Sequence, residues 1–195
     1  MKIAILGSGG REHALAYAIS KSEKIKKIYC LPGNAGTEDI AENIIIDTDN
    51  FKEVYEFLNK EKINLVIVGP EQPLVNGIVD FLEKRNVRVF GPNKIASQLE
   101  GSKIFTKNLC KKHSIPTADF GVFENIEDAK NFLQNVNYPI VIKADNLAAG
   151  KGVYISKNFE EANLAVKEIF EGKFGVAKNI LIEEFLDGEE MSYFI

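Results

Sequence analysis

The chain is poor in the residues that build metal and disulfide frameworks. Its 195 residues contain two cysteines, two histidines and no tryptophan. Cys30 and Cys110 stand far apart, with no second cysteine or histidine at metal-ligand spacing around either, so both read as buried or half-buried free thiols. An excess of positive charge is also missing. Against 24 Lys and Arg stand 28 Asp and Glu, a formal charge of −4, which offers no general attraction to nucleic acid or to an anionic membrane. No apolar run approaches a membrane span, and Met1-Lys2-Ile3-Ala4-Ile5-Leu6 meets a glycine turn before a secretory h-region reaches its usual length. A reducing, cytoplasmic location is the expectation. No serine, histidine and acid set reads as a triad and no cysteine has a catalytic setting, so no covalent catalyst and no catalytic residue is assigned.

Apolar residues are plentiful, at 45% of the chain, and suffice for a packed core. Short Ile- and Val-rich runs at 2–6, 27–31, 43–46, 64–68 and 87–90 alternate with helical spacing at 11–21, 51–61 and 73–85. This alternation predicts α/β architecture, an open parallel sheet with flanking helices. The runs end in Gly7, Pro32-Gly33-Asn34, Gly69-Pro70 and Gly91-Pro92-Asn93, the edge where open parallel sheets gather ligands.

Near residue 93 the pattern changes. NKIASQLEGSKIFTKNLCKKHSIP predicts two helical pieces hinged at Gly101 and ending before Pro116. YPIVIKA, the loop DNLAAGKG and VYIS predict a hairpin, followed by a helix over about 159–171 and a last strand in NILIEEF. We expect one domain over 1–100, a helical linker over 101–120, and over 121–195 the first part of an α+β domain, cut off within the apolar alternation of GEEMSYFI.

Five stretches carry chemistry. Gly7-Ser8-Gly9-Gly10-Arg11-Glu12 follows a strand and starts a helix, so backbone N–H groups and the positive helix end address one spot suited to phosphate. A dinucleotide fingerprint needs glycine where Glu12 stands and an acid near Leu31 and Pro32, so a nicotinamide cofactor is not expected. A tight turn without ligand is the alternative. PGNAG and GPEQPLV bring Asn34 and Glu71 to the same sheet edge, where sugar hydroxyls and an amine could bind.

IKADNLAAGKGVYI combines small residues with Lys143 and Lys151, a loop able to close over a polyphosphate, although it lacks the GxxxxGKS pattern and a strand follows it. An ordinary hairpin with solvated lysines is the alternative. LIEEFLDGEE supplies carboxylates for ribose and exposed backbone for an adenine edge, or else a solvated acidic turn. His13 either touches ligand or packs, and His113 reads as a helix-end residue.

Taken in order, GSGGREHA, LPGNAGT, GPEQPLV, FGPNKIASQLEGSK, IKADNLAAGKGV and IEEFLDGEE resemble the phosphoribosylamine–glycine ligase family of the ATP-grasp superfamily, over residues 1–195. The resemblance implies a phosphoribosylamine-binding domain followed by an incomplete ATP-grasp domain. It implies a ligase of purine biosynthesis that joins glycine to 5-phosphoribosylamine through a glycyl phosphate, with ATP and Mg or Mn. Gly9, Gly10, Arg11, Glu12, Asn34 and Glu71 would line the phosphoribosylamine site. Lys103 and Lys143 would be the ATP lysines; Asp145, Gly150, Lys151 and Gly152 would belong to the loop covering the phosphates. Glu183, Phe185 and Leu186 would hold adenine, and Glu190 ribose.

Asn146 stands where the family shows glycine, and asparagine tolerates a left-handed backbone better than most residues, so the loop shape is expected to survive. The family's metal ligands and most of its glycine site lie beyond residue 195, so these residues alone are expected to be inactive. Small-molecule substrates, no nucleic acid, no membrane and a monomeric full-length protein complete the expectation. A sibling ATP-grasp ligase or carboxylase, and a non-catalytic nucleotide-binding module, are the alternatives.

Overall fold

The computed structural model describes residues 1–145, 152–175 and 177–193. It divides into two compact units, Met1–Gly101 and Ser102–Ile195.

Unit 1 is the expected open parallel sheet. Its strands are β1 (Lys2–Gly7), β2 (Lys27–Pro32), β3 (Glu42–Asn43), β4 (Leu65–Val68) and β5 (Val89–Phe90), in the spatial order β3-β2-β1-β4-β5. All neighbours are parallel, with Ile3 opposite both Ile28 and Leu65. The helices are α1 (Gly10–Ser20), α2 (Phe51–Glu61), α3 (Glu71–Asn76), α4 (Ile78–Glu83) and α5 (Gln98–Gly101).

The strands read as continuous apolar runs because both sheet faces are covered. Ala4, Leu6, Tyr29, Leu31 and Val66 pack with Val54 and Leu58 of α2 and with Ile78, Val79 and Leu82 of α4. Ile3, Ile5, Ile28 and Cys30 pack on the other face with Ala16, Leu15 and Ile19 of α1. Successive connections leave β1 in opposite directions along the sheet, so the crevice of this order opens between the carboxyl ends of β1 and β4.

Two expected elements come out differently. The run at 43–46 pairs only at Glu42 and Asn43, because beyond them Ile46 turns into the core while Ile45 is 85% exposed, on an edge with no further strand. The helix expected over 73–85 begins at Glu71 and is interrupted by Gly77, whose φ of 97° ends α3 in a left-handed cap and starts α4.

Unit 2 is an antiparallel sheet in the order β6-β9-β7-β8, built from β6 (Phe120–Phe123), β7 (Ile140–Ala144), β8 (Val153–Ser156) and β9 (Ile180–Glu184). The hairpin of β7 and β8 and the closing strand are as expected. Its helices are α6 (Lys103–Lys112), α7 (Ile126–Leu133) and α8 (Phe159–Phe170). Ile140, Ile142, Ile180 and Ile182 face α7 and α8 in one apolar layer with Ala129, Leu133, Val166 and Ile169. By strand alternation Val141, Lys143, Leu181, Glu183 and Phe120 belong to the opposite face. Asn125 caps α7 and Asn158 caps α8, each accepting from the N–H three residues on.

Cys30 is buried and Cys110 half-buried, both as free thiols. Among the described residues no helix is long and apolar enough to cross a membrane.

Candidate functional site

In unit 1 the chain leaves β1 through Gly7, at a φ of 121°, and enters α1 at Gly10. Glu12 shapes this turn. Its side chain is only 4% exposed, and its Oε2 accepts from the Gly9 N–H at 2.6 Å. A Cβ at Gly7 would lie 2.6 Å from the Glu12 Cδ, and a Cβ at Gly69 would lie at the same distance. The glycines ending β1 and β4 therefore leave the volume that this carboxylate fills. Gly9 has spent its N–H on Glu12, whereas Gly10 and Arg11 stand in the first helical turn, whose N–H groups have no intrahelical acceptor and suit an anion.

Arg11 spans the crevice, donating through Nη1 to the Gly69 carbonyl at 2.6 Å and through Nη2 to Glu71 Oε1 at 2.9 Å. The Glu71 carboxyl lies below its ordinary range because its own backbone N–H and then the Arg11 guanidinium stabilise the anion. Arg11 is raised in turn, chiefly by its hydrogen bond to Glu71. The side chains are 60% and 42% exposed, so this ion pair contributes little stability and is free to rearrange around a ligand.

Asn34 braces the turn from the β2 side. Its amide donates to the carbonyls of Ser8 at 2.8 Å and Gly9 at 3.2 Å, while its Oδ1 accepts from Gly36 and Thr37. Thr37, fully buried, and Asn43 complete that loop through a hydrogen bond of 2.7 Å. The result is an open cleft of about 470 Å³ bounded by the turn from Gly7 to Glu12, Pro32, Thr48, Pro70 and Glu71. Of the six residues expected at a sugar-phosphate site, five line the cleft and Asn34 holds its floor from behind. His13 packs against Gly36, where an added Cβ would meet its ring.

Unit 2 offers a different arrangement. Lys143 on β7 approaches Glu183 Oε2 on β9 at 3.0 Å, and Lys107 on α6 approaches the same oxygen at 3.3 Å. Lys107 also donates to Thr117 Oγ1 at 2.8 Å and to the Ala118 carbonyl at 3.0 Å. Close by in the chain, Lys103 donates to the Ala144 carbonyl at 3.0 Å, and Asp145 accepts from the Ser102 hydroxyl and from the Ile104 N–H at 3.2 Å. The start of α6 is thus pinned to the end of β7, where the expected phosphate loop begins. Gly152, with a φ of 77°, re-enters the sheet beside Ala144 and Phe174.

Gly150 and Lys151 lie outside the described residues. Phe185 and Leu186, 36% and 65% exposed, follow β9, and among the described residues no hydrogen bond or ion pair ties exposed Glu190 to the lysine cluster. Lys107 was not among the expected residues, although its place four residues after Lys103 set both on one side of a helix.

Family models place both halves. Residues 1–100 match the N domain of phosphoribosylglycinamide synthetase and residues 101–195 match its ATP-grasp (A) domain. The chain belongs to the phosphoribosylglycinamide synthetase family. A phosphoribosylamine–glycine ligase of Mesorhizobium japonicum is 50% identical over 195 residues, covering 100% of this chain and 46% of that protein. The ligase of Escherichia coli is 46% identical over 199 residues, with the same coverage. The chain therefore spans about half the length of the curated relatives it matches.

Among solved structures, the phosphoribosylamine–glycine ligase of Thermotoga maritima matches at a TM-score of 0.78 and 35% identity, over 97% of this chain and 45% of that one. A biotin carboxylase domain of Hydrogenobacter thermophilus shares the fold at a TM-score of 0.75 and 20% identity, over 95% of this chain and 44% of that one. Both candidate regions fall within the matched domains, the turn cleft in the first and the lysine cluster in the second.

Proposed function

We propose that the chain is the N-terminal part of an ATP-dependent ligase that joins glycine to 5-phosphoribosylamine, giving glycinamide ribonucleotide, ADP and phosphate. The observation that carries this reading is the unbroken match of both halves to the two domains of one family, in order. In this reaction the glycine carboxylate attacks the γ-phosphorus of ATP and releases ADP. The amine of phosphoribosylamine then attacks the acyl carbon and expels phosphate.

The N–H groups of Gly10 and Arg11 and the Arg11 guanidinium bind the phosphate of phosphoribosylamine in the cleft of unit 1. Glu71, ionised and mobile in its pairing, accepts from the sugar or its amine, and Asn34 and Glu12 keep the turn in shape. In unit 2, Lys143 and Lys103 neutralise the ATP phosphates, the loop from Asp145 to Gly152 covers them, and the segment from Glu183 to Leu186 takes the adenine, with Glu190 at the ribose. Holding the reactants in line and meeting charge with fixed cations supplies the rate.

A divalent metal accompanies ATP in such chemistry. Among the described residues no group of three or more His, Cys, Asp or Glu could hold one. We place metal ligands and most of the glycine site in the portion beyond these residues, and expect the residues described here to be inactive alone. Cytoplasmic location and a monomeric full-length protein belong to the same proposal.

The test is an assay of ADP formation by the full-length protein, dependent on both glycine and phosphoribosylamine. Turnover that needs both supports the reading. A folded, full-length protein that makes ADP only with a different acceptor identifies a sibling ligase, and one that binds ATP without turnover identifies a binding module.

A further inference from the structure

Lys107 is a buried cation outside the set expected from sequence, and the assigned chemistry makes no use of it. Its side chain is 11% exposed and that of Glu183 is 6%, so their contact at 3.3 Å is nearly withdrawn from water. Lys107 donates to Thr117 Oγ1 and to the Ala118 carbonyl and forms an ion pair with Glu183 Oε2. Lys143, at 27% exposure, shares that carboxylate oxygen but sits nearer the open side of the sheet.

The two lysines therefore differ in freedom. Lys107 is committed on every side by groups of unit 2. Lys143 has one buried anion on which to rest and a solvent-facing side on which to meet another.

We propose that Lys107 is a positioning residue for nucleotide binding: it holds and neutralises Glu183, so that Lys143 can move from that carboxylate to a phosphate oxygen without leaving a buried charge unpaired. This rests on the nucleotide reading above. A carboxylate buried to this degree demands a partner. If Lys107 were not there, Lys143 would be that partner, and binding a phosphate would have to break the pair. With Lys107 in place Glu183 goes from two cations to one and is never left unpaired. The loss of affinity without Lys107 thus acts through Glu183 and not through any contact of Lys107 with ligand.

The experiment measures ATP affinity of the full-length protein by calorimetry, with thermal unfolding recorded alongside, for wild type, K107M, K107R, E183Q and K107M/E183Q. We expect K107M to weaken ATP binding about tenfold or more, and K107R to recover most of it. With Glu183 neutral, removal of Lys107 should cease to matter, so K107M/E183Q should bind ATP as E183Q does. That last comparison stands even if K107M alone does not fold, because the double variant leaves no unpaired carboxylate. A K107M protein that loses thermal stability but keeps wild-type affinity overturns the inference, as does a double variant much weaker than E183Q. Wild type that binds no ATP overturns the nucleotide reading, and this inference with it.

Discussion

The turn cleft of unit 1 and the lysine cluster of unit 2 both prepare for phosphate, and they do so with opposite parts of the chain. In unit 1 the donors are main-chain amides at the start of α1, held by a buried carboxylate that occupies the space two glycines leave open. In unit 2 the donors are long side chains, Lys143 on β7 and Lys103 on α6, and Lys143 rests on a buried carboxylate that Lys107 also pairs. A buried glutamate organises each region, Glu12 by shape and Glu183 by charge. Backbone donors tolerate almost no change of side-chain volume nearby, whereas lysine donors tolerate changes of shape and fail on changes of charge.

The sharpest way to break this comparison is to add volume in unit 1. Gly7→Ala places a Cβ against Glu12 at a φ of 121°, and the combined overlap and strain should cost about 3 kcal/mol by urea unfolding. Gly69→Ala, whose backbone lies outside the left-handed region, should cost less. Combining it with Glu12→Ala should cost less than the sum of the two changes, because the clash disappears with the side chain. Strict additivity would mean that Glu12 does not occupy the space as described.

In unit 2 charge should matter more than volume. Lys143→Met in the full-length protein should weaken ATP binding by about 2 kcal/mol, the scale of one charged hydrogen bond, with little change in unfolding midpoint, since Lys107 still pairs Glu183. The check is calorimetry beside thermal unfolding. A large fall in stability would assign Lys143 a structural role instead.

The exposed pair Arg11–Glu71 should give a smaller effect. Arg11→Ala should change stability by about 1 kcal/mol or less. The Glu71 carboxyl is held below its usual value, so its contribution is present at neutral pH and disappears as pH falls below about 4.3, through the folded value. Carboxyl NMR titration of Arg11→Ala should move Glu71 upward only part of the way, because its own backbone N–H remains the larger cause. The smallest effect concerns the thiols. Burial raises Cys30 above the ordinary thiol range, so a thiol reagent should label Cys110 first and Cys30 only on opening.

Much of this was legible in the sequence, for reasons that differ along the chain. β1, β2 and β4 are doubly covered and so appear as unbroken apolar runs, and their glycine ends locate the cleft. The short pairings of β3 and β5 were overestimated, because an apolar run such as Ile44 to Ile46 shows burial but not whether a neighbouring strand exists to pair with. β6 and α7 were missed. FGVF is too short to announce a strand, although Asn125 followed by Asp128 is a helix-start signal that could have been used. Glu12 lines the cleft as expected, but that its carboxylate also fills the space beside Gly69 was not legible, because Gly69 lies 57 positions away. Lys107 escaped because a lysine on a polar helix reads as solvated unless its partner on another strand is known.

The most direct test of the account is an NMR titration of the 15N-labelled full-length protein with ribose 5-phosphate and, separately, with ADP. Ribose 5-phosphate should shift the amides of Gly10 and Arg11 while leaving those around Lys143 and Glu183 in place, and ADP should do the reverse. Ribose 5-phosphate shifts confined to other residues, or ADP shifts that bypass β7 and β9, would contradict it.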